Sequence, residues 1–176
     1  GVNGIWVSID AATKETYEKI KCGCDFERSI NNLKEFIKLK KEMQSPIPEL
    51  CFRYVVTSLN VNEMPDFLDL INSLGSKKDL GDGTIIEFVG LLKFKEVEQY
   101  YIEDIPPEIL SETINRAKST GLNIAFSHAA PALPHIKHCA AWSEPYIMMK
   151  GYVIPCCAVL QSNSRDFLKK YSFGNL

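Results

Sequence analysis

The chain has 176 residues, is 45% hydrophobic, and carries 20 basic against 22 acidic side chains, for a formal net charge of -2. That is enough chain and apolar content for one domain, or one domain with a small appendage, around a real core. With no Lys/Arg block, no apolar run near the ~20 residues that span a bilayer and no signal-peptide pattern, nothing draws in nucleic acid or membrane, and the expected location is cytoplasmic. Six cysteines in such a chain read as thiols or metal ligands rather than as a disulfide framework. The sequence opens at Gly1 almost directly into a strand and stops just past a helical segment, as expected of a piece of a longer protein.

In chain order, Ile5, Val7 and Ile9 alternate with Trp6, Ser8 and Asp10, the period of a strand whose polar residues gather at its C-terminal end. Thr13 is suited to cap a helix through "KETYEKI", with Glu15 in its first turn and a break at Gly23. A longer helix through "FERSINNLKEFIKLKKEM" places Phe26, Ile30, Leu33 and Ile37 on one stripe. The strand "ELCFRYVVTS" is apolar at nearly every position and is expected to be buried on both faces, with Arg53 its anomaly. A helix "MPDFLDLINSLG" follows and ends at Gly75, then a strand "TIIEFVGLL" with Glu87 as a second anomaly. Pro107 suits a first helical position, Leu110, Ile114 and Ala117 form the expected buried stripe, and Gly121 stops that helix before the strand "LNIAF". The resulting β-α-β-α-β-α-β order implies an α/β fold with parallel strands and right-handed crossovers.

From about His128 the character changes to Pro, His and Cys, with two short strands around Gly151 and a last helix through "SRDFLKKY". The chain therefore reads as an α/β layer over residues 1–127 and a small module over 128–176. A module of that size needs a staple such as a metal.

Two constellations could carry chemistry. Cys139 and Cys156 stand on either side of Gly151, where a glycine turn would bring the two sulfurs together from the arms of a hairpin. Adjacent residues of an extended strand face oppositely, so only one of Cys156 and Cys157 is expected to be a ligand. Against this stand the reading of all three as small buried hydrophobes and a zinc site completed by His135 or His138. Arg53 and Glu87 each lie in an apolar strand, where a charge needs a partner; they pair with one another, sit near a strand end in water, or face an active site at the barrel mouth. Cys22, Cys24 and Cys51 are expected to be structural thiols.

Taken together, "GIWVSIDAATKETYEKIK", "FRYVVTSLNVNEMPDFLDLINSLG" and "CAAWSEPYIMMKGYVIPCC" resemble the radical S-adenosylmethionine enzymes that carry a SPASM or twitch auxiliary-cluster extension. The first is similar to that family's fourth barrel strand and the helix behind it. The second is similar to the fifth, with Asn60-x-x-Glu63 at its end, and the third to the opening cysteine, glycine and cysteine of the SPASM motif. The resemblance implies the second half of a partial (βα)6 TIM-like barrel, followed by a small hairpin and helix module. It implies S-adenosylmethionine across the C-terminal strand ends, with Ser8 and Asp10 at its ribose or methionine end, Arg53 at its carboxylate or at substrate, and Asn60 near the adenine side.

It further implies an auxiliary 4Fe–4S cluster with Cys139 and Cys156 among its ligands. The activity implied is cleavage of S-adenosylmethionine to a 5′-deoxyadenosyl radical and hydrogen abstraction, as in an oxidoreductase or maturase acting on a peptide or small molecule and fed by an electron donor. No C-x-x-x-C-x-x-C occurs in the chain, so the cluster that cleaves S-adenosylmethionine would be held outside it and the chain by itself is expected to be silent. The alternative from another class is a non-catalytic, zinc-stapled α/β binding module.

Overall fold

Strand residues with alternating polarity have to satisfy backbone groups and bury one face at once, and a sheet packed on helices does both. In the computed structural model, which describes residues 1–92, 95–127, 146–148, 151–154 and 165–175, four such strands line up in parallel. They are β1 (Gly4–Ser8), β2 (Glu49–Val56), β3 (Ile85–Gly90) and β4 (Asn123–Ser127), in sheet order β1-β2-β3-β4. The intervening helices are α1 (Lys14–Ile20), α2 (Phe26–Glu42), α3 (Met64–Leu74), the short α4 (Lys77–Leu80) and α5 (Pro107–Thr120). The chain divides into two compact units, Gly1–Ala132 and Leu133–Leu176.

The helix starts follow local chemistry. Thr13 accepts the Thr16 N–H at the head of α1, and Asp25 accepts the Arg28 N–H at the head of α2. Gly121 takes the left-handed conformation (φ 70°) that ends α5. The α4 turn was not expected from the sequence; Ser76 and Asp79 close a reciprocal capping box there.

Burial separates the two faces of the sheet. Leu50, Phe52, Tyr54 and Val56 of β2 with Ile86 and Phe88 of β3 are buried against Ile30, Leu33, Ile37, Phe67, Leu68 and Ile71 from the helices. Tyr54 packs on Phe67 and Phe88 with ring centroids 4.8 and 5.4 Å away. The opposite face carries Trp6, Ser8, Arg53 and Glu87, and among the described residues of the first unit it has no helix layer over it. This corrects the expectation that β2 is buried on both faces: Arg53 is exposed and Val55 only half-buried, because helices cover one side alone. In α5 the fully buried positions are Thr113 and Ala117, while Leu110 and Ile114 are half-buried. Thr113 is satisfied there by donating its hydroxyl to the Ile109 carbonyl at 2.7 Å.

In the second unit, β5 (Tyr146–Ile147) and β6 (Tyr152–Ile154) form an antiparallel hairpin turned at Gly151 (φ 79°). A helix α6 (Arg165–Tyr171) leads to β7 (Gly174–Asn175), which pairs antiparallel with β6. Among the described residues no helix is long and apolar enough to cross a membrane.

Candidate functional site at the strand ends

The sheet register puts Ser8, Arg53 and Glu87 side by side, since Ser8 pairs with Arg53 and Arg53 with Glu87. Just beyond Ser8 the backbone leaves the sheet, and Asp10 takes a positive φ of 61°. Its side chain then continues the ladder that the backbone has abandoned: Oδ1 accepts the Val55 N–H at 2.7 Å, after Ile9 has donated its own N–H to the Arg53 carbonyl. Oδ2 accepts the Ser8 hydroxyl at 2.9 Å and pairs with the Lys21 ammonium at 2.7 Å. Asp10 is buried while Ser8 is exposed, so the carboxylate braces the rim from within and Ser8 lies at its surface.

Asn60 is braced as fully. Its Nδ2 donates to the carbonyls of Asp10 and Val55, each at 2.8 Å, and its Oδ1 accepts the Thr57 N–H at 2.7 Å and the Thr57 hydroxyl at 3.0 Å. An amide has two donors and two acceptor sites, so all four are engaged inside the protein. The backbone carbonyl of Asn60 also accepts from the Tyr54 hydroxyl at 2.7 Å. Burial pushes the ionisation of that hydroxyl far above the usual tyrosine range, and the carboxylates of Glu63 and Asp10 push it the same way.

Three residues beyond Asn60, Glu63 reaches across to α1. Its carboxylate accepts the N–H groups of Ala12 (2.8 Å) and Thr13 (3.1 Å) and the hydroxyls of Thr13 (2.9 Å) and Thr16. An anion at the positive end of a helix is favoured, and here it also ties the head of α3 to the start of α1.

On the open face, Arg53 donates through Nε (2.9 Å) and Nη2 (2.7 Å) to Glu87 Oε2, and its guanidinium carbon lies 4.8 Å from the Trp6 ring centroid. Glu87 Oε1 accepts the Ser127 hydroxyl at 2.6 Å. Of the readings left open by the sequence, the mutual ion pair is present, and it lies on the open face of the sheet. Nη1 of Arg53 takes no part in that pair, and the side chain is half-exposed.

Of the predicted site residues, Ser8, Asp10, Arg53 and Asn60 therefore gather at the C-terminal end of β1 and β2. The sequence did not show that Lys21 neutralises Asp10, that Glu63 holds α1, or that Trp6 and Ser127 flank the Arg53–Glu87 pair; all are long-range contacts without a local pattern. Cys139, Cys156, Cys157, His135 and His138 lie outside the described residues. Among the described residues no group of three or more His, Cys, Asp or Glu side chains could hold a metal ion. Cys51 is buried, but Cys22 and Cys24 are exposed, which corrects their reading as structural thiols: they lie on a surface turn after α1 and not in the core.

The fold and this rim define an α/β chain of the kind that builds part of a TIM-like barrel, with polar and charged residues at the strand ends. No protein-family model matches the chain. It is 28% identical over 167 residues to a probable GTP 3′,8-cyclase of Methanocaldococcus jannaschii, covering 89% of this chain and 51% of the relative. It is 30% identical over 146 residues to the dTDP-4-amino-4,6-dideoxy-D-glucose ammonia-lyase of Streptomyces venezuelae, covering 76% of this chain and 28% of the relative. The chain thus spans about half the length of the first and under a third of the second. Among solved structures, SuiB of Streptococcus suis bound to S-adenosylmethionine matches with a TM-score of 0.50 over 92% of this chain and 38% of that one, at 14% identity, a likeness of fold alone. These similarities agree with the resemblance of the sequence motifs to the radical S-adenosylmethionine enzymes.

Proposed function

We propose that the chain supplies one wall of the cofactor and substrate site of a radical S-adenosylmethionine oxidoreductase or maturase, together with the beginning of an auxiliary 4Fe–4S module. The observation that carries this reading is the rim itself. The hydroxyl of an exposed serine (Ser8), a braced carboxylate with its ammonium (Asp10, Lys21) and a half-exposed guanidinium (Arg53) stand together where parallel strands end. These groups fit a zwitterionic, hydroxyl-rich ligand, which asks for hydroxyl, anion and cation at one mouth.

In this reading Ser8 and Arg53 touch the cofactor or substrate. Asp10 and Asn60 serve as positioning residues, holding the strand ends through their buried hydrogen bonds. S-adenosylmethionine, when bound with its cluster, supplies the radical that takes hydrogen from a peptide or small-molecule substrate. The cluster itself requires cysteines that this sequence does not contain as C-x-x-x-C-x-x-C. For the auxiliary cluster we assign Cys139 and Cys156, on the strength of their spacing about Gly151 and the hairpin turn there; thiolates are the soft anionic donors that iron–sulfur clusters take.

The test is anaerobic reconstitution of the full-length protein, followed by iron, acid-labile sulfide and 5′-deoxyadenosine assays. Iron with sulfide, and 5′-deoxyadenosine formed on reduction, are expected. Cys156→Ala should lose the auxiliary cluster, while Cys157→Ala keeps most of the iron and costs on the order of 1 kcal/mol in packing. Equal iron loss from both variants would overturn the ligand assignment. Colourless, stoichiometric zinc in place of iron would overturn the radical reading and favour the zinc-stapled module.

A further inference from the structure

The turn after α1 carries Cys22-Gly23-Cys24, and the rim does not use either thiol. Both cysteines are exposed. The turn is already closed by the Cys24 N–H, which donates to the Lys21 carbonyl at 3.0 Å, and Gly23 takes a positive φ of 84° at its centre. Nothing lies within 4 Å of where a Gly23 side chain would begin, so the turn is open on that side. The Cys22 thiol rests on the Lys19 carbonyl at 3.7 Å, a weak contact that is easily given up. Cα atoms two residues apart cannot be more than about 7 Å apart even in extended chain, and a reversed turn brings them inside the ~4.4–6.8 Å window of a disulfide. The backbone spacing of the turn is therefore compatible with a bridge between them.

We propose that Cys22 and Cys24 form a reversible redox site, a surface dithiol that closes to an internal disulfide by exchange with a low-molecular-weight disulfide. One thiolate attacks a sulfur of the external disulfide and expels the first thiol. The second thiolate then attacks the resulting mixed disulfide at the cysteine sulfur and expels the other. Two cysteine thiols are oxidised, one external disulfide is reduced to two thiols, and the protons leave with them. A ring spanning one glycine is strained and fully exposed, features that make a disulfide labile rather than structural. The turn begins at Lys21, whose ammonium pairs with Asp10, so the site adjoins the strand-end rim while its chemistry is independent of the function proposed there.

The experiment equilibrates the reduced chain in glutathione buffers of rising disulfide-to-thiol ratio, quenches with iodoacetamide, digests with trypsin and weighs the peptide 22–28, which carries both cysteines between Lys21 and Arg28. The expected result is one transition in which this peptide loses both alkyl groups together and becomes two hydrogens lighter. Gly23→Ala should make closure about fivefold less favourable, because the ring needs a left-handed residue at that position and L-residues resist it. A peptide that carries glutathione at either cysteine without an internal ring, that links to another peptide, or that stays alkylated at every ratio would overturn the proposal. An unchanged transition in Gly23→Ala would overturn the role assigned to the turn.

Discussion

At the scale of single residues, Asn60 and Tyr54 show how a polar cluster can be both buried and stabilising. Asn60→Ala deletes four side-chain hydrogen bonds and leaves the Asp10 and Val55 carbonyls and the Thr57 N–H without those partners. The expected loss is about 3 kcal/mol, read as a lower urea midpoint with unchanged slope. Tyr54 adds a pH signature. Its hydroxyl ionises far above the usual range when folded but near 10 when unfolded. Above about pH 10 the unfolded chain therefore binds fewer protons than the folded one, and stability should fall by up to about 1.4 kcal/mol per pH unit; below that pH the residue contributes no slope. Tyr54→Phe should remove that alkaline limb while costing about 1 kcal/mol at neutral pH for the lost bond to Asn60. Urea titrations at neutral and alkaline pH measure both effects, and an unchanged alkaline limb in the variant would assign the slope to another group.

At the scale of elements, α1 is a seven-residue helix, too short to persist by itself in water. It is held from outside by Glu63, fifty residues on in sequence, through four hydrogen bonds to its first turn. Charge and geometry can be separated here. Glu63→Gln keeps an acceptor for the two backbone N–H groups and loses the negative charge, at about 1 kcal/mol. Glu63→Ala loses every bond and should cost about 2–3 kcal/mol. Equal effects would mean that the charge alone holds α1. At the other end of the sheet, the buried Lys40 of α2 donates to the Pro48 and Leu80 carbonyls at 2.7 and 2.9 Å, and burial lowers its pKa below the usual lysine range. Lys40→Met, which keeps the apolar stem, should cost about 2 kcal/mol in urea unfolding by removing both donors.

At the scale of the whole molecule, one face of the parallel sheet is packed and the other presents Trp6, Ser8, Arg53 and Glu87. On the proposed reading, the chain by itself should bind S-adenosylmethionine more weakly than micromolar in calorimetry, because the cluster that would hold its amino and carboxylate groups has no ligands here. Micromolar or tighter binding would show that the rim is sufficient.

The α/β order, the helix starts at Thr13 and Pro107 and the stop at Gly121 depend on near neighbours in the chain and were legible in the sequence. Period-two alternation likewise placed Ser8 at the outward end of β1. Tertiary structure alone decided that Arg53 meets Glu87, that Lys21 turns back to Asp10, that Thr113 rather than Leu110 is fully buried in α5, and that Cys22 and Cys24 lie in open solvent. Each of these depends on strand register or on which side of an element is covered, and those are properties of partners distant in sequence. A residue's own neighbours carry no record of them. Asp10 shows the division most plainly: its place with Ser8 in the alternation marked it as polar and at a strand end, but only the neighbouring strand, whose Val55 N–H its side chain accepts, made its carboxylate a brace.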